Sequence, residues 1–300
     1  MKGQPDISIV LAVYNGEKFL REQIDSILRQ KDVIIRELII VNDCSIDGSM
    51  DILIEYKNQY SFIKLLDNPT NMGPVGSFIK GAQQVTATYT AFADQDDIWL
   101  DNKLSLSVQL MKEIDNENKP AVVFTDLQLI SENGKDMGSS FWELYKIKPA
   151  ENDFFTVLFG NIITGCTMLI NRPMLDEFII MPLTVEMHDH WIALVGFSIG
   201  KVSYSPAKTI LYRAHGNSVT NKDKVTLNKT IANFLEAWFN KKSAFLNGYI
   251  QQGKLFKLHY GNRLDKHLRA KLDYFIQTEK SSGLVKKLRS KFRFVITKWI

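Results

Sequence analysis

The residues with the clearest chemical potential in this chain form one short acidic run, Asp94-Gln95-Asp96-Asp97, directly after the apolar stretch YTAFA. Three carboxylates within four positions repel one another, and protons or a cation must offset that repulsion. A divalent ion is the natural partner, because hard oxygen donors select Mg2+ or Mn2+, which bind one or two carboxylates together with substrate phosphates. The alternative is a solvated turn that caps the helix after it. Asp43 adds weight to the first reading by closing a second apolar stretch, ELIIVN, although it also suits a turn role in CSIDGS. Asp47 suits a cap for the helix beginning at Gly48-Ser49.

Ligands of open parallel sheets sit beyond the carboxyl ends of the strands, so the position of these acids depends on where the strands stop. Apolar runs predict strands at ISIVLAV (7–13), ELIIVN (37–42), FIKLL (62–66) and YTAFA (89–93). Helical patterns lie between them over 17–29, about 49–58 and about 75–85. Near-continuous apolar strands alternating with amphipathic helices predict a doubly wound α/β fold, its parallel sheet covered on both faces. Tyr14-Asn15, Asn42-Asp43 and the Asp94 run then all fall at strand ends. Neither G-x-G-x-x-G nor G-x-x-x-x-G-K-[ST] follows the first strand, which continues as AVYNGEK, so a cation must handle any phosphates.

Further along, the pattern predicts a helix over 102–115 and a strand AVVFTDLQLI (121–130) closed by the SENG turn. A helix near 153–159, a strand CTMLI (166–170), a short helix begun by Pro173 and a helix over 190–199 follow. KVSYSP then leads into the strand TILYR (209–213). From about Lys224 only helical spacing remains, as in Ile231, Phe234, Leu235, Trp238 and Phe239, and again in Leu264, Leu268, Leu272 and Phe275.

Composition, 45% hydrophobic and 23% charged, excludes wholesale disorder and an integral membrane bundle. No run approaches the ~20 apolar residues of a membrane span. MKGQPDISIV lacks the pattern of a secretory signal, and a cytosolic protein is expected. Cys44 and Cys166 stand far apart without a C-x-x-C partner and read as reduced, semi-buried thiols. The net charge of +4 hides an asymmetry: residues 222–300 carry 18 Lys/Arg against 5 Asp/Glu. An acidic catalytic domain over 1–221 and a basic helical region over 222–300 are therefore expected. The end of that region, KKLRSKFRFVITKWI, interleaves cations with Phe292, Phe294, Val295, Ile296, Trp299 and Ile300. It suits an anionic membrane surface, or a helical tail packed on the protein; no nucleic acid partner is expected.

The segments VLAVYNGEKFLREQIDSILRQ, ELIIVNDCSIDGS, NMGPVGSF and FADQDDIWLDNKL closely resemble family 2 glycosyltransferases of the GT-A fold over about residues 6–221. The resemblance implies a nucleoside diphosphate sugar donor gripped at Ala12, Tyr14, Asn15, Asp43, Asn71, Asp94 and Gln95. Asp43 corresponds to an acid that contacts the nucleotide base, while Asn42 and Cys44 depart from the family's V-D-D-G-S-like motif. Asp94-Gln95-Asp96 corresponds to D-x-D, with Asp96 the metal ligand for Mn2+ or Mg2+ and Asp94 facing donor sugar or ribose. Asp97 is left as a supporting acid or a cap. In YRAHGNS, His215 would complete the metal or diphosphate site, or sit as a surface-loop histidine. Asp189 in EMHDHWIAL falls where inverting members carry their catalytic base, a cap being the alternative. The flanking His188 and His190 invite zinc, but no third and fourth ligand follow at recognisable spacing. Gly165, Cys166 and Thr167 correspond to the acceptor-proximal loop.

DQDDIW together with MHDHW and YRAH resembles most the rhamnosyltransferase branch that builds capsule, O-antigen or wall polysaccharide, with a glycan or lipid-linked oligosaccharide as acceptor. A non-catalytic assembly subunit with this fold is the main rival. A nucleotidyltransferase is disfavoured by the absence of a glycine-rich loop after the first strand.

Overall fold

The computed structural model describes residues 5–116, 118–214, 242–277 and 279. His215, the stretch from Ile231 to Phe239 and the basic terminus over 284–300 lie outside the described residues. The strands are β1 (Asp6–Val13), β2 (Ile34–Asn42), β3 (Ile63–Asp67), β4 (Tyr89–Ala93), β5 (Ile98–Trp99), β6 (Ala121–Ser131), β7 (Asp136–Ser140), β8 (Leu169–Asn171) and β9 (Lys201–Ala214). They form one nine-stranded sheet in the order β3-β2-β1-β4-β8-β6-β9-β5, with β7 paired to β6 outside that path. The half around β1 is parallel, β1 pairing with β2 and β4 and β2 with β3. Beyond β4 the sheet is mixed: β8 runs antiparallel to β4 and β6, whereas β9 is parallel to β6 and antiparallel to β5.

The helices are α1 (Leu20–Leu28), α2 (Ser49–Gln59), α3 (Gly73–Ala82), α4 (Lys103–Ile114), α5 (Phe141–Tyr145), α6 (Phe154–Val157), α7 (Arg172–Ile179), α8 (His188–Ile199), α9 (Lys242–Tyr260) and α10 (Lys266–Gln277). Alternate residues of the strands feed two cores, which is why these strands are apolar on both faces. Val10, Ile39, Phe92, Val122 and Ile170 pack with Phe78 of α3, Phe178 of α7 and Trp191 of α8. On the other face Ile9, Leu38, Ile40, Ala91 and Val123 meet Ile24 of α1, Leu53 of α2 and Leu104 of α4. The first core also takes in Ile250, Phe256 and Tyr260 of α9 and Leu272 and Phe275 of α10. Among the described residues no helix is long and apolar enough to cross a membrane.

Some expected elements take a different form. CTMLI becomes a strand only at Leu169, because Gly165–Thr167 wind into a 3-10 turn in which Thr167 Oγ1 donates to Thr164 O at 2.7 Å. The helix expected near 153–159 is one turn, α6, closed by reciprocal bonds between Asp153 and Thr156. KVSYSP and TILYR are a single strand, β9, and Pro206 is accommodated where the pairing with β6 shifts register. α8 begins at His188, two residues earlier than its apolar spacing indicates, and this places Asp189 in the first helical turn.

Candidate active site

The ends of β1 and β2 are tied together by their loops. Asn15 at φ 50° and Cys44 at φ 64° turn the chain in the left-handed region, where Asn is tolerated better than most residues. Asn15 N donates to Ser45 Oγ at 3.0 Å, and Ile46 N donates to Asn15 Oδ1 at 2.9 Å. Beside them Asp43 is buried, with Oδ1 accepting Asn68 Nδ2 and Met72 N, each at 2.7 Å. Asn68 in turn donates to Ser77 Oγ of α3 at 3.0 Å and accepts Lys80 Nζ at 2.8 Å. The direction of the Asp43 carboxylate is therefore set by β2, by α3 and by the turn before α3. Asn42 turns the other way and donates from Nδ2 to Asp67 Oδ1 at 2.7 Å.

The remaining candidates at this end have different settings. Tyr14 is about half exposed, at 48%. Ala12 pairs with Val41 and packs against the core. Asn71 Oδ1 accepts Gly73 N at 3.1 Å in a local turn. Gln95 spends its amide on the backbone of Tyr14, its Oε1 accepting Tyr14 N at 2.8 Å and its Nε2 donating to Tyr14 O at 3.0 Å.

β4 delivers the acidic run to the centre of the sheet's carboxyl edge. The ligand-capable atoms of Asp94, Asp97 and Cys166 lie within 4.8 Å of one another. Asp94 still reaches solvent, yet burial, helped by repulsion from Asp96 and Asp189, raises its pKa to about 7. Asp97 is buried and pushed well above the carboxylate range by burial and then by Asp96 and Asp94. Its Oδ1 accepts Arg213 N at 3.3 Å, whereas Oδ2 has no hydrogen-bond partner among the described residues. An orphaned buried carboxylate oxygen beside further acids is the donor set that a divalent cation satisfies. The residues thus fit a metal ion.

Asp189 stands close enough to Asp94 to repel its ionised form. Only 6% exposed, it accepts His190 N at 2.7 Å on Oδ1 and Gly165 N at 3.2 Å on Oδ2. Burial raises its pKa to about 6 against the pull of these two backbone donors. Gly165 has no room for a side chain, since a Cβ there would lie 2.7 Å from His188 Nε2. His188 itself is not placed for solvent or metal: its ring sits 4.6 Å from that of Phe78 and 6.0 Å from that of Phe178, and burial lowers its pKa to about 4. Cys166 and Thr167 are both buried, the thiol being one wall of the acidic cluster.

Two cations missed in the sequence support this cluster. Arg213, in the YRAH motif two residues before His215, is buried on β9. Its Nε donates to Asp96 O at 3.0 Å, its Nη1 to Glu132 O at 2.8 Å and its Nη2 to Glu22, with the guanidinium 4.6 Å from the Phe19 ring centroid. Lys103 is fully buried at the start of α4, its Nζ 3.8 Å over the Trp99 ring. Burial draws its pKa down to about 7. A lysine just after a polar turn normally signals a solvated helix end, which is why sequence spacing conceals it.

A mostly parallel sheet with acids at its carboxyl edge and a helix-borne buried carboxylate beside them define a GT-A type glycosyltransferase. The chain belongs to glycosyl transferase family 2, whose profile matches residues 8–178. It is 28% identical over 221 residues to the dTDP-rhamnosyl transferase RfbG of Shigella flexneri, covering 69% of this chain and 72% of that one. It is also 28% identical over 232 residues to the putative teichuronic acid biosynthesis glycosyltransferase TuaG of Bacillus subtilis, covering 76% and 86%. Among solved structures, S. aureus TarS in complex with UDP-GlcNAc superposes with a TM-score of 0.58 at 17% identity, over 92% of this chain and 91% of that one. The mannosyltransferase PcManGT of Pyrobaculum calidifontis, in complex with GDP-Man and Mn2+, gives 0.52 at 13% identity, over 94% and 89%.

Proposed function

We propose that this enzyme transfers a sugar, in the best reading L-rhamnose from dTDP-rhamnose, with inversion onto a growing cell-surface polysaccharide. The observation that carries the reading is Asp189, a buried carboxylate held by two backbone donors next to Asp94. The likeness to a dTDP-rhamnosyl transferase and to a putative teichuronic acid enzyme supports donor and product class.

Asp189 takes the proton of the acceptor hydroxyl as that oxygen attacks the anomeric carbon, while the bond to the diphosphate breaks on the opposite face. No covalent enzyme intermediate forms. Asp43, oriented by Asn68 and Met72, accepts the N3–H of a uracil or thymine base. Asp96 and its neighbours Asp94 and Asp97 would hold Mn2+ or Mg2+, with His215 as an additional ligand. When bound, the ion supplies charge stabilisation for the departing diphosphate. Gly165, Cys166 and Thr167 shape the acceptor side, where a glycan or lipid-linked oligosaccharide enters.

Residues 1–221 are proposed as the catalytic domain, and the basic residues of 222–300 as the part that meets an anionic membrane from the cytoplasmic side. Co-sedimentation with anionic vesicles tests this, and binding that survives deletion of 284–300 would remove that segment as the anchor. The catalytic reading is tested by the anomeric configuration of the product in proton NMR. Inversion is expected; retention, or full activity in Asp189→Asn, would overturn it.

A further inference from the structure

The side chain of His190, next to the proposed base, is buried and takes no part in the chemistry above. Its Nε2 lies 2.7 Å from Val157 O, and a carbonyl only accepts, so Nε2 carries the proton. Nδ1 is then the acceptor, and it lies 2.7 Å from Nε2 of Gln252, which must be the donor. The other end of the same amide, Gln252 Oε1, accepts the backbone N of Glu186 at 3.2 Å. Gln252 is 3% exposed and sits in the middle of α9, beyond the stretch matched by the family profile. One side chain of a C-terminal helix therefore grips both the loop that leads into α8 and the residue whose backbone N–H holds Asp189.

The surroundings leave this grip little freedom. The Tyr249 ring, one turn earlier on α9, stands edge-on to His190 at 4.8 Å. A side chain at Gly248 would overlap the Glu186 carboxylate, so the backbone of α9 runs directly against that loop. On the next residue of α8, Trp191 packs against Phe256 at 5.4 Å and Tyr260 at 5.8 Å. Packing fixes the distance between α8 and α9, and the amide fixes the rotation of the first turn of α8.

We infer that Gln252, acting through His190, is a positioning residue for Asp189, so that α9 completes the catalytic site rather than merely covering it. This rests on the reading of Asp189 as the base. A base shifted by a fraction of an ångström loses alignment with the acceptor oxygen but leaves the donor site at β1, β2 and β4 untouched.

The test uses the 300-residue chain and sugar nucleotide hydrolysis, water serving as acceptor, with dTDP-rhamnose or whichever of UDP-GlcNAc and GDP-mannose the wild type turns over. Gln252→Met keeps the volume and removes both hydrogen bonds. It is expected to lower kcat on the order of 10- to 100-fold, with the donor KM unchanged. Gln252→Glu, which can still accept from Glu186 N and from a protonated Nδ1, is expected to recover much of that loss. Wild-type kcat in Gln252→Met, or a change confined to KM, would overturn the positioning role. Asp189→Asn is run alongside: if it keeps full activity, the base reading fails instead. An independent readout needs no substituted Gln252. The 15N imidazole resonances of His190 in the wild-type protein, assigned with His190→Asn, should show the Nε2–H tautomer, and an Nδ1–H tautomer would refute the relay.

Discussion

Gln95 binds the peptide of Tyr14 at both ends of its amide, Oε1 to Tyr14 N at 2.8 Å and Nε2 to Tyr14 O at 3.0 Å. The pair fastens the loop after β4 to the loop after β1, so the acidic run and the proposed base-binding end of the crevice hold a fixed spacing. Gln95→Leu removes two hydrogen bonds and should destabilise the protein by about 1–3 kcal/mol, since a net bond contributes roughly 0.5–1.5 kcal/mol. Urea unfolding measures this. The same variant should raise the donor KM more than it lowers kcat.

As the proposed base, Asp189 has to be ionised to accept a proton, and burial has raised its pKa to about 6. Activity should therefore rise with pH through about 6 and level off above it. Asp189→Asn should lose on the order of 10²–10⁴ in kcat, the usual contribution of a general base, and lose this acid limb. A kcat–pH profile of both proteins checks the two statements together.

Asp94 is raised from 3.8 to about 7 by burial, Asp96 and Asp189, so the folded state favours its protonated form. Its contribution to stability is present below the unfolded value and is lost as pH rises through about 7. Asp94→Asn escapes this loss. In EDTA, the melting temperature of Asp94→Asn should gain on the wild type from about pH 4 to about pH 7 and then hold its lead. Mn2+ should raise the wild-type value at pH 8 more than at pH 5, because the cation competes with the proton.

Gly165 supplies an N–H to Asp189 and has His188 Nε2 where its Cβ would be. The His188 ring has no room to retreat, being packed against Phe78, Phe92 and Phe178. Gly165→Ala should cost about 1–3 kcal/mol as an overpacked core site, and kcat should fall as the N–H moves off the carboxylate. Thermal melting and turnover, measured on the same sample, separate the two effects.

Regular elements were legible because their signals are local. Apolar runs mark β1, β2 and β4, three-to-four spacing marks α1, α2 and α4, and Asp43 and the Asp94 run follow strands directly. Sequence also carried the family through ordered motifs, and with it the GT-A sheet. Irregular parts were less legible. Cys166 and Thr167 read as the start of the strand CTMLI and instead wind with Gly165 into a 3-10 turn packed beside His188 and Asp189.

Asp43, Asp94 and Asp96 stand out by residue type and position, since a carboxylate after a strand is visible one residue at a time, whereas Asp189 is singled out by the family resemblance. Their environments could not. The shift of Asp94 comes from burial and from Asp189, nearly a hundred residues away in the chain. Arg213 looks like one more surface cation until β9 carries it under the Asp96 loop, and Gln252 looks like a polar helix residue until α9 docks on α8. Charge repulsion, desolvation and hydrogen-bond partnership depend on distances through space, and only the packed tertiary structure sets those.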